Sequence, residues 1–350
     1  MNANSENPAP PRRAPRWKRL LQNLALFCVV FLLCVAAFEI ALRIAGYGNL
    51  EIYTPDEKLF WRLKPNQQCF TKIDHKPVRI NSQGTRGQEI VQPKPANTIR
   101  ILSLGDSRTF GWGLTEDETY TVRLGKLLQE KLGPSRRVEV INAGVNAWSY
   151  PQMYVYFRER GLAYQPDIVI LADANLWTQF SEKSSPEFVK SFLRRVWLKN
   201  FLRRFAIYHF VVEVQLKSFY EQHRSKFIPV DPQKDTLFKE AQQSDPDELF
   251  RDAIENLCRL AQTNGVKPLL LNLPIFDDLA STNLTAPLRA KRVVSERLGV
   301  SIVDVAEEIR PGGKELYLDA DPVHFDAKGN EIIARKLLEP VAQLVTPTTP

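Results

Sequence analysis

From residue 99 onward the chain alternates short apolar runs with stretches of helical period. Ile99–Leu104 is a β-type run. Thr115 and Glu118 then form a capping-box pair ahead of Tyr120, Leu124, Leu127, Leu128 and Leu132, which recur at helical spacing until Gly133. Arg137–Asn142 predicts a second strand, Pro151–Gly161 a helix, and Pro166–Ala172 a third strand whose unbroken apolar run suits burial on both faces. Asp245, Pro246 and Glu248 open a helix with Leu249, Ala253, Leu257 and Leu260 on one face, and Asn264-Gly265 closes it. Val266–Leu273 is the fourth strand. A helix over Ala286–Leu298, ended by Gly299, leads to the fifth, Ser301–Val305. The last helix starts near Asp326 and is expected to end or kink at Pro340. Parallel strands need crossovers and the crossovers cover the sheet, so five βα alternations predict an α/β fold with helices on both faces.

The N-terminal pattern differs. Residues 1–19 are polar and Pro-rich, with Arg12, Arg13, Arg16, Lys18 and Arg19, and an apolar run follows from Leu24 to Leu42. At the helical rise this run spans roughly 28 Å, about the thickness of a bilayer's hydrocarbon core. The expectation is a cytoplasmic basic tail (1–19) and a transmembrane signal anchor (20–45). Within the run Glu39 is set to pair with Arg43 four residues on. Basic residues before the span place the N-terminus in the cytoplasm and the rest on the far side of the inner membrane, extracytoplasmic or periplasmic. Val35-Ala36-Ala37 offers the alternative of a cleaved signal peptide. Residues 46–98 carry short β-like pieces and no helical period, and are expected to be an extended linker and cover segment without chemistry of their own.

Between the third strand and the helix at Pro246 lies an insertion, about 177–244, too long for a plain connection. Phe188, Val189, Phe192, Leu193 and Val196 share one helical face against Lys190, Arg194 and Arg195. Beyond Asn200 the apolar face moves to Phe201, Leu202, Phe205, Tyr208 and Val212, which predicts two helices breaking near Lys199-Asn200. Covering the crevice, lying on an anionic membrane surface, binding an acidic glycan and simple packing with a solvated basic face all remain open to them.

Composition changes little. The content of 44% hydrophobic residues supports a sizeable core. The net charge of +7 falls to +3 once residues 1–45, with six basic and two acidic side chains, are set aside, so no nucleic-acid partner is implied. Cys69 and Cys258 are the only cysteines beyond the apolar run and lack the spacing of a disulfide framework. His75, His209 and His223 read as surface or packing residues.

Candidate chemistry gathers at strand ends. Gly105-Asp106-Ser107 follows the first strand and precedes Gly111 and Gly113, which puts a hydroxyl where open α/β sheets bind ligands; a tight turn capped by Ser and Asp is the alternative. Gly144 ends the second strand, where a free N–H can face a ligand, and Asn175 follows the third. Near the last strand-to-helix connection Asp321 and His324 stand three apart, a spacing that lets the carboxylate hold one imidazole nitrogen while the other faces the crevice.

These blocks together resemble the SGNH (GDSL-type) hydrolases, specifically bacterial membrane-anchored members. Gly105-Asp106-Ser107 with Thr109-Phe110-Gly111-Trp112-Gly113 matches the family's first block, Asn142-Ala143-Gly144 its second, and Asp321-Pro322-Val323-His324 with Gly329 its last. The similarity runs from Asn81-Ser82-Gln83-Gly84 to the C-terminal helix. It implies a flavodoxin-like three-layer α/β/α domain over 99–345 and ester hydrolysis without metal or other cofactor. Ser107 would be nucleophile, His324 general base and Asp321 its partner, with an oxyanion hole from Ser107, Gly144 and Asn175. One block departs: where the family usually reads Gly-x-Asn-Asp, this chain has Asp173-Ala174-Asn175-Leu176. The implied substrate is an acyl ester, O-acetyl esters, lipids and acylated cell-surface glycans included. Acyl transfer to a surface polysaccharide and an inactive envelope scaffold or glycan-binding module are the alternatives, and the oligomeric state is open.

Overall fold

The computed structural model describes residues 16–50, 52–71, 76–176, 180–211, 245–280, 284–319 and 321–345. Residues 1–15 of the basic tail, His75, Trp177, Val212 and His223 lie outside the described residues.

Helix α1, Arg16–Ile44, opens the chain and is long and apolar enough to cross a membrane. Two antiparallel hairpins follow, β1 (Tyr53–Asp56) with β2 (Phe60–Leu63) and β3 (Gln67–Phe70) with β4 (Pro77–Ile80). The central sheet then forms from β5 (Thr98–Leu104), β6 (Arg137–Asn142), β7 (Ile168–Leu171), β8 (Lys267–Asn272) and β9 (Ser301–Asp304). Every pairing in it is parallel and the order is β6-β5-β7-β8-β9, so direction reverses beside β5. That reversal opens a crevice at the strands' C-terminal ends.

Strand alternation sorts the core into two halves. Ile99 and Ile101 of β5 face α3 (Tyr120–Leu132) and the C-terminal helix, while Leu102 and Leu104 face α4 (Tyr150–Tyr156) and the helices Pro246–Thr263 and Ala286–Leu298. The result is three layers. Cys69 and Cys258 are buried, and burial pushes the Cys258 thiol up to about 12.

Four local expectations change. The Thr115–Glu118 capping box is present, but it closes a single 3₁₀ turn, Glu116–Glu118; α3 begins afterwards with Thr119 as its N-cap. The helix expected over Pro151–Gly161 passes from α4 into a wider π turn at Phe157–Gly161. The C-terminal helix, Ala327–Val345, continues through Pro340, because Val341 and Ala342 beyond it are buried against the sheet and that packing outweighs the lost hydrogen bond. In the insertion, α5 (Pro186–Leu202) does not break at Lys199-Asn200. Instead, the Asn200 carboxamide pairs with both the N–H and the C=O of Tyr53, so a tertiary contact holds the helix through that point, and a short turn, α6 (Ala206–Tyr208), follows.

The 46–98 segment packs into the domain. Leu59, Phe60, Trp61 and Leu63 join the core, and the Trp61 indole donates to Asn146 O (3.0 Å) while the Trp148 indole donates to Trp61 O (2.9 Å). Buried Arg86 donates to the carbonyls of Phe110 (2.7 Å), Gly111 (2.6 Å) and Leu114 (2.5 Å). The first hairpin, through Trp61, and the stretch after the second, through Arg86, thus brace the two loops that carry Gly144 and Ser107.

Candidate active site

Ser107 is the first residue of α2, a single turn (Ser107–Phe110) that leaves the C-terminal end of β5. The Asp106 carboxylate caps it by accepting from the Arg108 N–H (2.9 Å). Gly105 is required there, since a Cβ would lie 2.2 Å from Thr109 Oγ1. The Ser107 N–H sits at the helix start, where the backbone ladder takes no donor.

The last loop reaches the same place from 217 residues away. His324 Nε2 lies 2.7 Å from Ser107 Oγ, and His324 Nδ1 lies 2.6 Å from Asp321 Oδ2. An ionised carboxylate only accepts, so Nδ1 carries the proton and Nε2 accepts from the Ser107 hydroxyl, a tautomer assigned from the network. Asp321 Oδ1 is held by the N–H groups of Val323 (2.8 Å) and His324 (3.1 Å). Tyr317, bridged to and stacked on Phe325, closes the loop's base. The imidazole is 17% exposed and the carboxylate 19%, open enough for a ligand, and the Trp112 ring stands beside the imidazole at 6.2 Å between centroids.

Burial pushes the Asp321 carboxyl up, but the His324 hydrogen bond and charge and the two N–H donors outweigh it, and its pKa lies below the usual range. The folded carboxyl therefore ionises at lower pH than the unfolded one. Its contribution to stability is complete above the unfolded value of about 3.9 and is lost as pH falls through the lower folded value. Thermal melts across acid pH are expected to show the gap between wild type and Asp321→Asn closing as pH falls through that window.

Gly144 lies against the Ser107 turn so closely that a Cβ would be 2.3 Å from Phe110 N. Its N–H donates to Asn142 Oδ1 (3.1 Å), while Asn142 Nδ2 donates to Thr109 O (2.8 Å) and Thr121 Oγ1 (3.1 Å). Asn142 is thus the tie between the second block and the first. Asn175 is held through its backbone: its N–H donates to Trp148 O (3.4 Å), its C=O accepts from Tyr150 N–H (3.0 Å), and it forms a bridge with Ser149.

Of the two residues that depart from the family pattern, Asp173 and Leu176, Asp173 has its own partner. Its Oδ1 accepts from Lys291 Nζ (2.5 Å) and its Oδ2 from Leu273 N–H (2.6 Å), and Lys291 also donates to Leu271 O (2.7 Å). Lys291 is fully buried; burial lowers its pKa against the opposing pull of Asp173. Arg108 works alongside, chelating Asp106 (2.9 and 3.2 Å) and donating to Leu273 O (2.7 Å). Sequence reading missed this brace. The available signal was a lysine at position 291, three before Val294 on the apolar face of its helix, opposite an acidic residue at a strand end.

Among the described residues no His/Cys/Asp/Glu cluster suited to a metal ion is found. No protein-family model matches the chain, and no curated protein matches it. Among solved structures it is similar to TesA (14% identity, 70% of this chain and 99% of that one, TM-score 0.45). It is also similar to the lipase/acylhydrolase from Enterococcus faecalis (14%, 72% and 100%, TM-score 0.43). A third is a catalytic mutant of Axe2, an acetylxylan esterase from Geobacillus stearothermophilus (15%, 69% and 94%, TM-score 0.43). By its own sheet order, β6-β5-β7-β8-β9, and by the strand-end loops that carry its three blocks, the chain has the three-layer α/β/α fold of the SGNH hydrolases.

Proposed function

We propose that this chain is a membrane-anchored serine ester hydrolase whose domain lies on the extracytoplasmic side, with Ser107, His324 and Asp321 as its catalytic triad. The observation that carries the reading is the unbroken run of contacts from hydroxyl to imidazole to carboxylate at the open end of the sheet. A Ser–His–Asp order of this kind activates a hydroxyl that is a poor nucleophile by itself.

Ser107 Oγ attacks the acyl carbonyl carbon as its proton passes to His324 Nε2, and Asp321 stabilises the imidazolium without taking its proton. The oxyanion is met by the Ser107 N–H and by Asn175, and the Gly144 N–H, which rests on Asn142 Oδ1, joins them only by giving up that acceptor; each such donor is worth roughly 3–4 kcal/mol of barrier. His324 then protonates the departing alkoxide, leaving an ester on Ser107. Water, deprotonated by His324, attacks that ester, and the acid leaves as the proton returns to Ser107. An acceptor sugar hydroxyl in place of water turns the same cycle into acyl transfer, and product analysis with an acetyl donor, with and without glycan, separates the two. The scaffold alternative was motivated by the altered third block. Asp173 has a structural partner in Lys291, which accounts for that half of the alteration; Leu176, at the block's fourth position, has no such account.

A fluorophosphonate probe tests the proposal directly. Full-length protein in detergent is expected to be labelled on Ser107, as located by peptide mass spectrometry. A folded protein that takes no label would reject a serine-hydrolase reading.

A further inference from the structure

Outside α1 the described residues expose eight large apolar side chains, and six of them lie within fifteen positions: Trp197, Leu198, Phe201, Leu202, Phe205 and Val211. On α5 the first four fall at i, i+1, i+4 and i+5, a single stripe, and Phe205 lies just beyond the helix's end. The opposite face is already used: Phe188 and Phe192 pack on Phe60, and Val189 and Val196 meet the same core. The exposed face also changes character along its length. Its N-terminal half presents Lys190, Arg194 and Arg195, all exposed, and its C-terminal half the aromatic stripe, in which Trp197 stacks on Phe201 and Phe201 meets Phe205 edge-on.

What covers this face is indicated by where its apolar end is tied. Glu39 of α1 accepts from the N–H groups of Ala206 (2.9 Å) and Ile207 (3.0 Å), and Arg43 donates to Arg204 O (2.6 Å). Gly48 N–H donates to His209 Nδ1 (2.9 Å), and Phe38 meets Phe210 edge-on at 6.2 Å. The exposed apolar stretch of α1 from Leu20 to Phe38 is about 27 Å long at the helical rise, which sets Glu39–Arg43 at the far interface of a bilayer. The stripe therefore meets the anchor at the depth where headgroups give way to acyl chains, where amphipathic aromatic rings are favoured.

We propose that α5 and α6 form an interfacial membrane helix: Trp197, Phe201 and Phe205 insert beside the anchor, and Lys190, Arg194 and Arg195 rest on anionic headgroups. The proposal rests on the anchor reading above. It adds a second membrane contact that fixes how the domain stands on the surface, since a single helix leaves the domain free to swivel whereas two tied contacts do not. Apolar insertion combined with basic residues on lipid phosphate is the usual energetics of such helices.

Full-length chain is reconstituted in vesicles of phosphatidylcholine with phosphatidylglycerol, with or without acyl-chain brominated lipid. The fluorescence lost on Trp197→Phe isolates the Trp197 signal, and Trp17→Phe does the same for the anchor. The expected result is that brominated lipid quenches Trp197 and aqueous iodide does not. Arg194→Glu with Arg195→Glu should weaken that quenching, and more so with phosphatidylglycerol than in phosphatidylcholine alone. Quenching of Trp17 with an iodide-accessible Trp197 would overturn this proposal and leave the anchor standing; no lipid quenching of either tryptophan would overturn both. A Trp197 shielded from lipid and iodide alike would assign the face to protein, a second copy included, and reject the bilayer as its occupant.

Discussion

Ser107→Ala is expected to lower the kcat for a p-nitrophenyl ester by about 10⁴-fold or more while the circular dichroism spectrum stays that of the wild type. The hydroxyl is the only atom group removed, its contact is to the His324 ring, and alanine keeps the first position of α2. What remains is the oxyanion donors acting on water, which retain only part of the acceleration. His324→Ala should cost as much, and the double variant little more, because hydroxyl and base act as one unit. The same variants should lose the fluorophosphonate label. Unchanged hydrolysis in Ser107→Ala would move the chemistry elsewhere in the molecule and end the triad proposal.

Lys291→Met is expected to carry the largest stability effect, a loss of about 3–5 kcal/mol, because it leaves the buried Asp173 carboxylate without its counter-charge. Leu273 N–H would remain as a partner, but one hydrogen bond does not replace an ammonium at 2.5 Å. Asp173→Asn combined with Lys291→Met removes both charges and should recover most of the loss, as paired replacement of buried ions generally does. Thermal unfolding of the three proteins in one detergent provides the measurement, with a downward shift on the order of 10 °C for the single variant. A single variant that melts with the wild type would show the pair to be dispensable. The consequence would reach the site, since the Asp106 N–H donates to Asp173 O and Arg108 links Asp106 to Leu273 O, so a slackened brace displaces the turn that carries Ser107.

The two variants mark different depths of legibility. The loop residues Ser107, Gly144 and His324 stand out in sequence because each follows a recognisable strand or precedes a recognisable helix with an unusual turn chemistry. Lys291 does not stand out, because its meaning depends on a carboxylate 118 positions away. Asn142 is similar: its type matches the family block, but its use as a tie from Gly144 to Thr109 and Thr121 is visible only once β6 lies beside the Ser107 turn. The 46–98 segment was the least legible, since its four-residue strands carry little periodicity and their purpose lies in Trp61 and Arg86 reaching loops elsewhere.

By itself the sequence determined the five strands, the helices between them and hence a parallel three-layer sheet, because hydrophobic period, caps and strand-ending glycines act within a few residues of one another. It also determined the long apolar helix at the N-terminus, which depends on composition alone. Only the tertiary structure decided that α5 runs on past Asn200, that the C-terminal helix continues through Pro340, that the 46–98 segment braces the site loops, and that the insertion is clasped to the end of α1. Each of these is set by a contact between residues distant in the chain, and such contacts outweigh the one or two kcal/mol by which local preference would decide otherwise.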